Sequence, residues 1–159
     1  MQIRQTIVIV ACFVVAGAGL VVQAQNTVPV GTWKLDPAKS TYKPGPAPKS
    51  VVLKIEAAGM GATTTVDAVA ADGSTQHWAF TGNYDGKDVP ITGNNPNGDT
   101  AARKRVNATT TETTYRKGGK ITTVNTSVLS ADGQTLTISV KGTDAQGRTV
   151  NNVQVYERQ

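Results

Sequence analysis

The amino-acid sequence predicts an all-β fold, an antiparallel up-and-down β-barrel of about 8–10 strands following a cleaved signal peptide. Three observations carry that expectation. Turn-forming dipeptides recur, most of them 13–14 residues apart: Asp72-Gly73, Asp85-Gly86, Gly118-Gly119, Asp132-Gly133 and Gln146-Gly147. The segments between them alternate polar and apolar residues with the two-residue period of a strand. Composition agrees: Thr, Ala, Val and Gly dominate, while aromatic residues make up 5% and charged residues 17% of the chain. That mixture suits pleated strands and tight turns better than helices.

The chain has 159 residues, one domain's worth of sequence. Residues 1–24 read as a secretory signal peptide. Arg4 supplies the basic start, Thr6–Val22 is almost unbroken apolar sequence, and Val22-Gln23-Ala24 is a small-x-small cleavage pattern. The competing reading is a retained membrane anchor, which the short run and its Gly17 and Gly19 disfavour. Cys12, the single cysteine, lies inside the apolar run rather than at its close, which argues against acylation. Cleavage after Ala24 leaves one domain, residues 25–159, with no cysteine and a net charge of +4 from 15 cations and 11 anions. Contact with a membrane is then confined to the leader, and the expected location is secreted or periplasmic. An exported domain without disulfides depends on its core.

Strands are predicted near 31–36, 50–57, 62–70, 74–82, 87–92, 99–106, 109–117, 120–130, 134–142 and 148–157. The clearest is Leu136-Thr137-Ile138-Ser139-Val140-Lys141, a strict alternation with one packed and one wet face. Gln76, Trp78 and Phe80 share one face of their strand, and Thr109, Thr111, Thr113 and Tyr115 share a face of theirs. Ala71-Asp72-Gly73-Ser74-Thr75 echoes Ala131-Asp132-Gly133-Gln134-Thr135, which reads as shared turn chemistry rather than a duplicated unit. Neighbouring hairpins favour a meander, and closing it removes both exposed edges. Between the first two strands, Lys43-Pro44-Gly45-Pro46-Ala47-Pro48 excludes a helix and favours extended chain, at a barrel mouth or merely across one end.

Both ends of the domain carry a family resemblance. Gly31-Thr32-Trp33-Lys34-Leu35 resembles the Gly-x-Trp opening strand of lipocalins and intracellular fatty-acid-binding proteins, the calycin group. Val155-Tyr156-Glu157-Arg158 is similar to the closing strand of the fatty-acid binders. The resemblance implies a lipocalin-like barrel enclosing a small apolar ligand. It also implies structural roles for Trp33, as an end plug, and for Arg158, as a cation laid over that indole. In the fatty-acid binders an Arg and a Tyr on the last strand hold a carboxylate. The matching positions are Gln154 and Tyr156, and the neutral amide implies an uncharged polar head group, as in the retinol-binding members, which also carry Gln there. The alternative puts both side chains on the outer face.

The expected ligand-binding residues are therefore Gln154, Tyr156 and Tyr115 as polar anchors and Trp78 and Phe80 as apolar wall. Arg105 joins them if the Arg103/Arg105 face of Arg103-Lys104-Arg105 points inward; otherwise the cluster is a solvated strand. Enzymatic chemistry finds no foothold. His77 is the single imidazole and has no nucleophile motif to serve, and Asp72 and Asp85 read as turn residues before Gly. Asn95, Asn97 and Asp99 lack the closing Glu of a calcium loop, and one His with one Cys makes no zinc site. Asn107 and Asn125 head glycosylation-type triplets. The expectation is an exported, non-catalytic binder or carrier of a small apolar or amphipathic molecule, with no cofactor, no metal and no nucleic-acid partner. The alternative is a surface-binding or inhibitor-type module recognising a protein or an envelope glycan.

Overall fold

The computed structural model describes residues 28–159; the expected leader, its cleavage site and Cys12 lie outside the described residues. Eleven strands follow in chain order. They are β1 (Gly31–Thr41), β2 (Ser50–Ala58), β3 (Gly61–Val69), β4 (Thr75–Asn83), β5 (Asp85–Pro90) and β6 (Thr92–Gly93). The second half supplies β7 (Thr100–Arg105), β8 (Thr110–Lys117), β9 (Lys120–Leu129), β10 (Thr135–Thr143) and β11 (Thr149–Arg158). They form one antiparallel sheet in the order β5-β7-β8-β9-β10-β11-β1-β2-β3-β4-β6, a nearly closed barrel.

The first and last strands zip together. Trp33 pairs with Arg158, Leu35 with Tyr156 and Asp36 with Val155; the register then slips before Thr41 meets Val153. Pro37 falls in that slip, where its missing N–H interrupts no ladder bond. Ser40 fills the gap, its hydroxyl donating to the Asp36 carbonyl at 2.7 Å and accepting from the Val155 amide at 2.9 Å. This is why β1 outruns the segment expected from the sequence.

Turn chemistry repeats where the sequence shows it. At Ala70–Ser74, Ser130–Gln134 and Asp144–Arg148 a backbone bond closes the turn, and Asp72, Asp132 or Asp144 accepts a nearby amide. Hydrogen bonds from Ser74 and Ser130, in first place, hold the Asp72 and Asp132 carboxyls below the usual range.

Asp85-Gly86 departs from expectation: it makes no hairpin. β5 pairs with β7, with a register irregularity between Asp85 and Asp88, while β6 pairs with β4. Residues 85–93 thus cross a seam between β4 and β7 that lacks a β4–β7 ladder, which divides the single strand expected at 87–92. Val89 packs against Gly82 in this seam. Gly93, at φ +93°, lets β6 press onto β4, because a Cβ there would lie 2.1 Å from the His77 carbonyl. Asn94 extends the contact, accepting from the His77 amide at 2.6 Å and donating to the Thr75 carbonyl at 3.1 Å.

Trp33, fully buried, plugs one end of the barrel and donates from Nε1 to the Pro29 carbonyl at 2.9 Å. Arg158 lies over its ring at 4.3 Å and donates to the carbonyls of Gly133 and Val30, each at 2.7 Å. Gly31 has positive φ, and a Cβ there would meet Arg158 Nη1 at 2.5 Å, so the Gly of Gly-x-Trp makes room for the guanidinium. Trp33→Ala is expected to destabilise by about 3–5 kcal/mol, whereas Arg158→Ala costs about 1–2 kcal/mol. Urea unfolding of the two variants checks this ordering; equal losses would remove the plug from its leading role.

Candidate functional site: an enclosed cavity

Alternation along each strand decides what faces inward. Leu53 and Ile55 of β2, Thr64 and Val66 of β3, and Ile138 and Val140 of β10 turn to the interior, while Lys54, Asp67 and Lys141 turn out. The inward side chains leave a cavity of about 350 Å³. That lies at the lower end of the range common for small-molecule sites, about 300–1,000 Å³.

Three aromatic rings build one wall. Trp78 and Phe80 of β4 stack with centroids 6.1 Å apart and 13° between planes. Tyr115 of β8 meets both edge-on, at 5.8 Å from Trp78 and 6.1 Å from Phe80. Such edge-to-face pairs add about 0.5–1.5 kcal/mol beyond area burial, so β4 and β8 hold each other across the seam.

The rest of the lining includes polar, neutral groups, among them Thr123 of β9, the cross-strand neighbour of Tyr115. Gln154 and Tyr156 of β11 both line the cavity, and the Tyr156 hydroxyl donates to Gln154 Oε1 at 2.9 Å. Tyr42 Oη and, on β9, Thr123 Oγ1 and Asn125 Oδ1 are three buried polar atoms with no hydrogen-bond partner among the described residues. All three residues line the same cavity, and Thr123 is 1% exposed. Burial pushes the Tyr42 phenol up to about 12, and raises the Tyr115 and Tyr156 phenols as well. The mouth is rimmed by Pro44, Pro46 and Pro48, so the proline segment lies at the opening. It is pinned by Lys43, whose amide donates to Asn152 Oδ1 at 2.8 Å and whose carbonyl accepts from the Asn151 amide at 2.7 Å.

Of the residues expected at the site, Gln154, Tyr156, Tyr115, Trp78 and Phe80 therefore lie around one cavity. Arg105 does not. It stacks on Tyr84 at 4.3 Å and lines a separate recess with Met60 and Asn83, outside the main cavity. Its partner in parity, Arg103, takes the cavity position instead. Sequence reasoning missed Tyr42, Thr123 and Asn125. Asn125 sits in a glycosylation-type triplet, yet its side chain points into the barrel; Asn107 remains in a loop, where it caps the Thr109 and Thr110 amides. His77 bonds Asp67 through Nδ1 at 2.6 Å on the outer face.

No protein-family model matches the chain, and no curated protein matches it. Among solved structures it is similar to a Schistosoma mansoni fatty acid binding protein in complex with arachidonic acid. The match has a TM-score of 0.53 at 14% identity and covers 82% of this chain and 95% of that one. The fold is a calycin-type β-barrel. In this barrel the proline segment lines the cavity, its Lys43-Pro44 and Gly45-Pro46 bonds are cis rather than part of the extended chain expected, and the described residues between β1 and β2 contain no helix.

The raised phenols give a pH dependence. A Tyr whose folded pKa exceeds its unfolded value of about 10 contributes stability that is complete below pH 10 and lost as pH rises toward the folded value. Stability should therefore fall between about pH 10 and 12, and Tyr42→Phe should flatten that fall. Urea midpoints at several alkaline pH values, with phenolate absorbance followed in parallel, check this. Native Tyr42 ionising near 10 would refute its burial.

Proposed function

We propose that the protein is an exported, non-catalytic carrier of a small amphipathic molecule held inside the barrel. One observation carries this reading: a single cavity combines an aromatic wall with neutral polar groups whose buried hydrogen-bonding atoms are unmet. Buried polar atoms are nearly always partnered, and a ligand or ordered water completes those that the chain leaves open. The apolar body of the ligand would lie on Trp78 and Phe80, leaving water at about 25 cal/mol per Å². Tyr115, Gln154 and Tyr156, with Tyr42, Thr123 and Asn125, would orient its polar group. The structural neighbour, itself a fatty acid binding protein, agrees with this use of the fold.

Export rests on the leader sequence, and absence of catalysis on the lack of any acid, base and nucleophile arrangement in the sequence. The module alternative needs an aromatic patch outside. Among the described residues the exposed large hydrophobic side chains are Val30, Met60, Val106, Ile121, Val128 and Val153, with no aromatic ring among them. That distribution favours the carrier.

Extraction of the purified protein followed by mass spectrometry should yield a retained amphiphile. After delipidation, dodecanol should quench or shift tryptophan fluorescence on binding. Trp78→Ala, read by isothermal titration calorimetry because the variant lacks the reporting ring, should weaken that binding at least about tenfold, one 1.4 kcal/mol step, while Ile121→Ser on the outside leaves it unchanged. A protein that retains nothing and binds no C12 chain would end the carrier reading.

A further inference from the structure

Among the described residues Arg103 is the only cation lining the cavity, and its side chain is buried at 6% exposure. It reaches from β7 over the inner face of β4 to β3. Nη1 donates to the Ala62 carbonyl at 3.1 Å and Nη2 to the Thr64 hydroxyl at 2.6 Å. Its guanidinium carbon stands 4.6 Å from the Phe80 ring centroid and 5.2 Å from that of Tyr84. Every one of these partners is neutral. Among the described residues no carboxylate lies within ion-pair distance of Arg103. Asp144, the only acid among the described residues lining the cavity, sits in the β10–β11 turn and is bonded to Arg148 Nε at 2.8 Å.

A buried charge is costly unless it is paired, and an aromatic clasp alone is served as well by an apolar side chain of the same length. Arg keeps its charge at neutral pH and carries five donors in a planar fork, of which the chain uses two. We propose that Arg103 is the recognition group for an anionic oxyacid on the bound ligand, a carboxylate or a phosphate monoester. Such groups accept from a guanidinium in parallel pairs, and low dielectric around Phe80 and Tyr84 strengthens the contact. The resemblance at the chain's closing strand would put the head group at Gln154 and Tyr156. Here the charge is on β7, which β8, β9 and β10 separate from β11 in the sheet. The ligand's acidic end accordingly lies on the seam side, with three strands between its β7 anchor and Gln154 and Tyr156 on β11. This rests on the carrier reading and specifies its ligand class.

The rival role for Arg103 is a clasp across the seam, and the test separates the two. Delipidated protein at pH 7.5 is titrated with dodecanoate, monododecyl phosphate and dodecanol, with tryptophan fluorescence as readout. At least one anion should bind about tenfold or more tightly than dodecanol, the increment of a charge-assisted hydrogen bond. Which anion prevails identifies the oxyacid. Arg103→Met should abolish that preference and leave dodecanol within about threefold, and Arg103→Lys, keeping charge without the fork, should fall between. Dodecanol binding as well as both anions in the unaltered protein overturns the inference and leaves the carrier reading intact. Equal loss for all three probes in Arg103→Met, with native circular dichroism, assigns Arg103 to the clasp and also overturns it. If Arg103→Met does not fold, the preference of the unaltered protein and of Arg103→Lys decides. Binding of none of the three probes defeats the carrier reading, and this inference with it.

Discussion

The ladder between β1 and β11 is the constraint on which the rest depends. A meander of hairpins can stay open, and an open sheet of this length has two sticky edges and no inside. Pairing Trp33 with Arg158 and Leu35 with Tyr156 gives the sheet an inside and decides which residues occupy it. Two of these residues, joined by Gly31, then act as an end closure. Trp33 fills the barrel floor, Arg158 caps it, and Gly31 leaves the space the cap needs. Sequence, register and closure are therefore one fact seen at three scales. Residues at both chain ends must agree before any cavity exists.

The barrel is closed by backbone on one side and by side chains on the other. Where β4 and β7 fail to pair, Val89 packs on Gly82, Arg103 spans to β3, and Tyr84 is stacked by Arg103 and Arg105. A backbone hydrogen bond contributes a net of about 0.5–1.5 kcal/mol, and a cation over a ring about 0.5–2 kcal/mol. The two are comparable, so a few side chains can replace a short ladder without a large loss. What they do not replace is rigidity along the seam, because side-chain contacts tolerate sliding that a ladder forbids. The aromatic wall, Trp78 and Phe80 facing Tyr115, straddles this same seam. Aromatic wall and weakest closure therefore coincide.

Most of the strand spans were legible from turn dipeptides and alternation, but the inward face of each strand was not, because Thr serves either face. The structure turns Trp78 and Phe80 on β4, Tyr115 on β8 and Leu136, Ile138 and Val140 on β10 inward. The expected meander, closed end to end, followed from turn dipeptides and edge avoidance. The seam was not legible. Asp85-Gly86 has the same local chemistry as Asp72-Gly73, and only long-range pairing makes one a hairpin and the other a register irregularity. Arg103 and Arg105 share a face, so alternation cannot tell which is deep enough to reach the cavity. Depth along a barrel is a property of strand stagger. Thr123 and Asn125 were hidden for another reason: in a Thr-rich strand either face reads as polar, and their burial is imposed by Val124 and Val128 being left outside.

The interior explains why such a barrel would be hollow at all. Large side chains concentrate at the Trp33 floor and along the Trp78, Phe80 and Tyr115 wall, whereas Thr, Ser, Asn and Val face much of the rest. A cavity of this size forfeits packing that larger residues would supply, and each buried unpartnered polar atom costs about 1–3 kcal/mol more. A barrel selected for stability alone would fill that space with Leu and Ile. Keeping it open makes sense if another molecule supplies the missing contacts. A ligand that binds only the folded state at a hundred times its Kd returns about 2.7 kcal/mol, roughly the cost of one or two orphaned groups. If a ligand is held there, as proposed, Tyr42, Thr123, Asn125 and Arg103 are the residues whose open hydrogen-bonding positions it would complete.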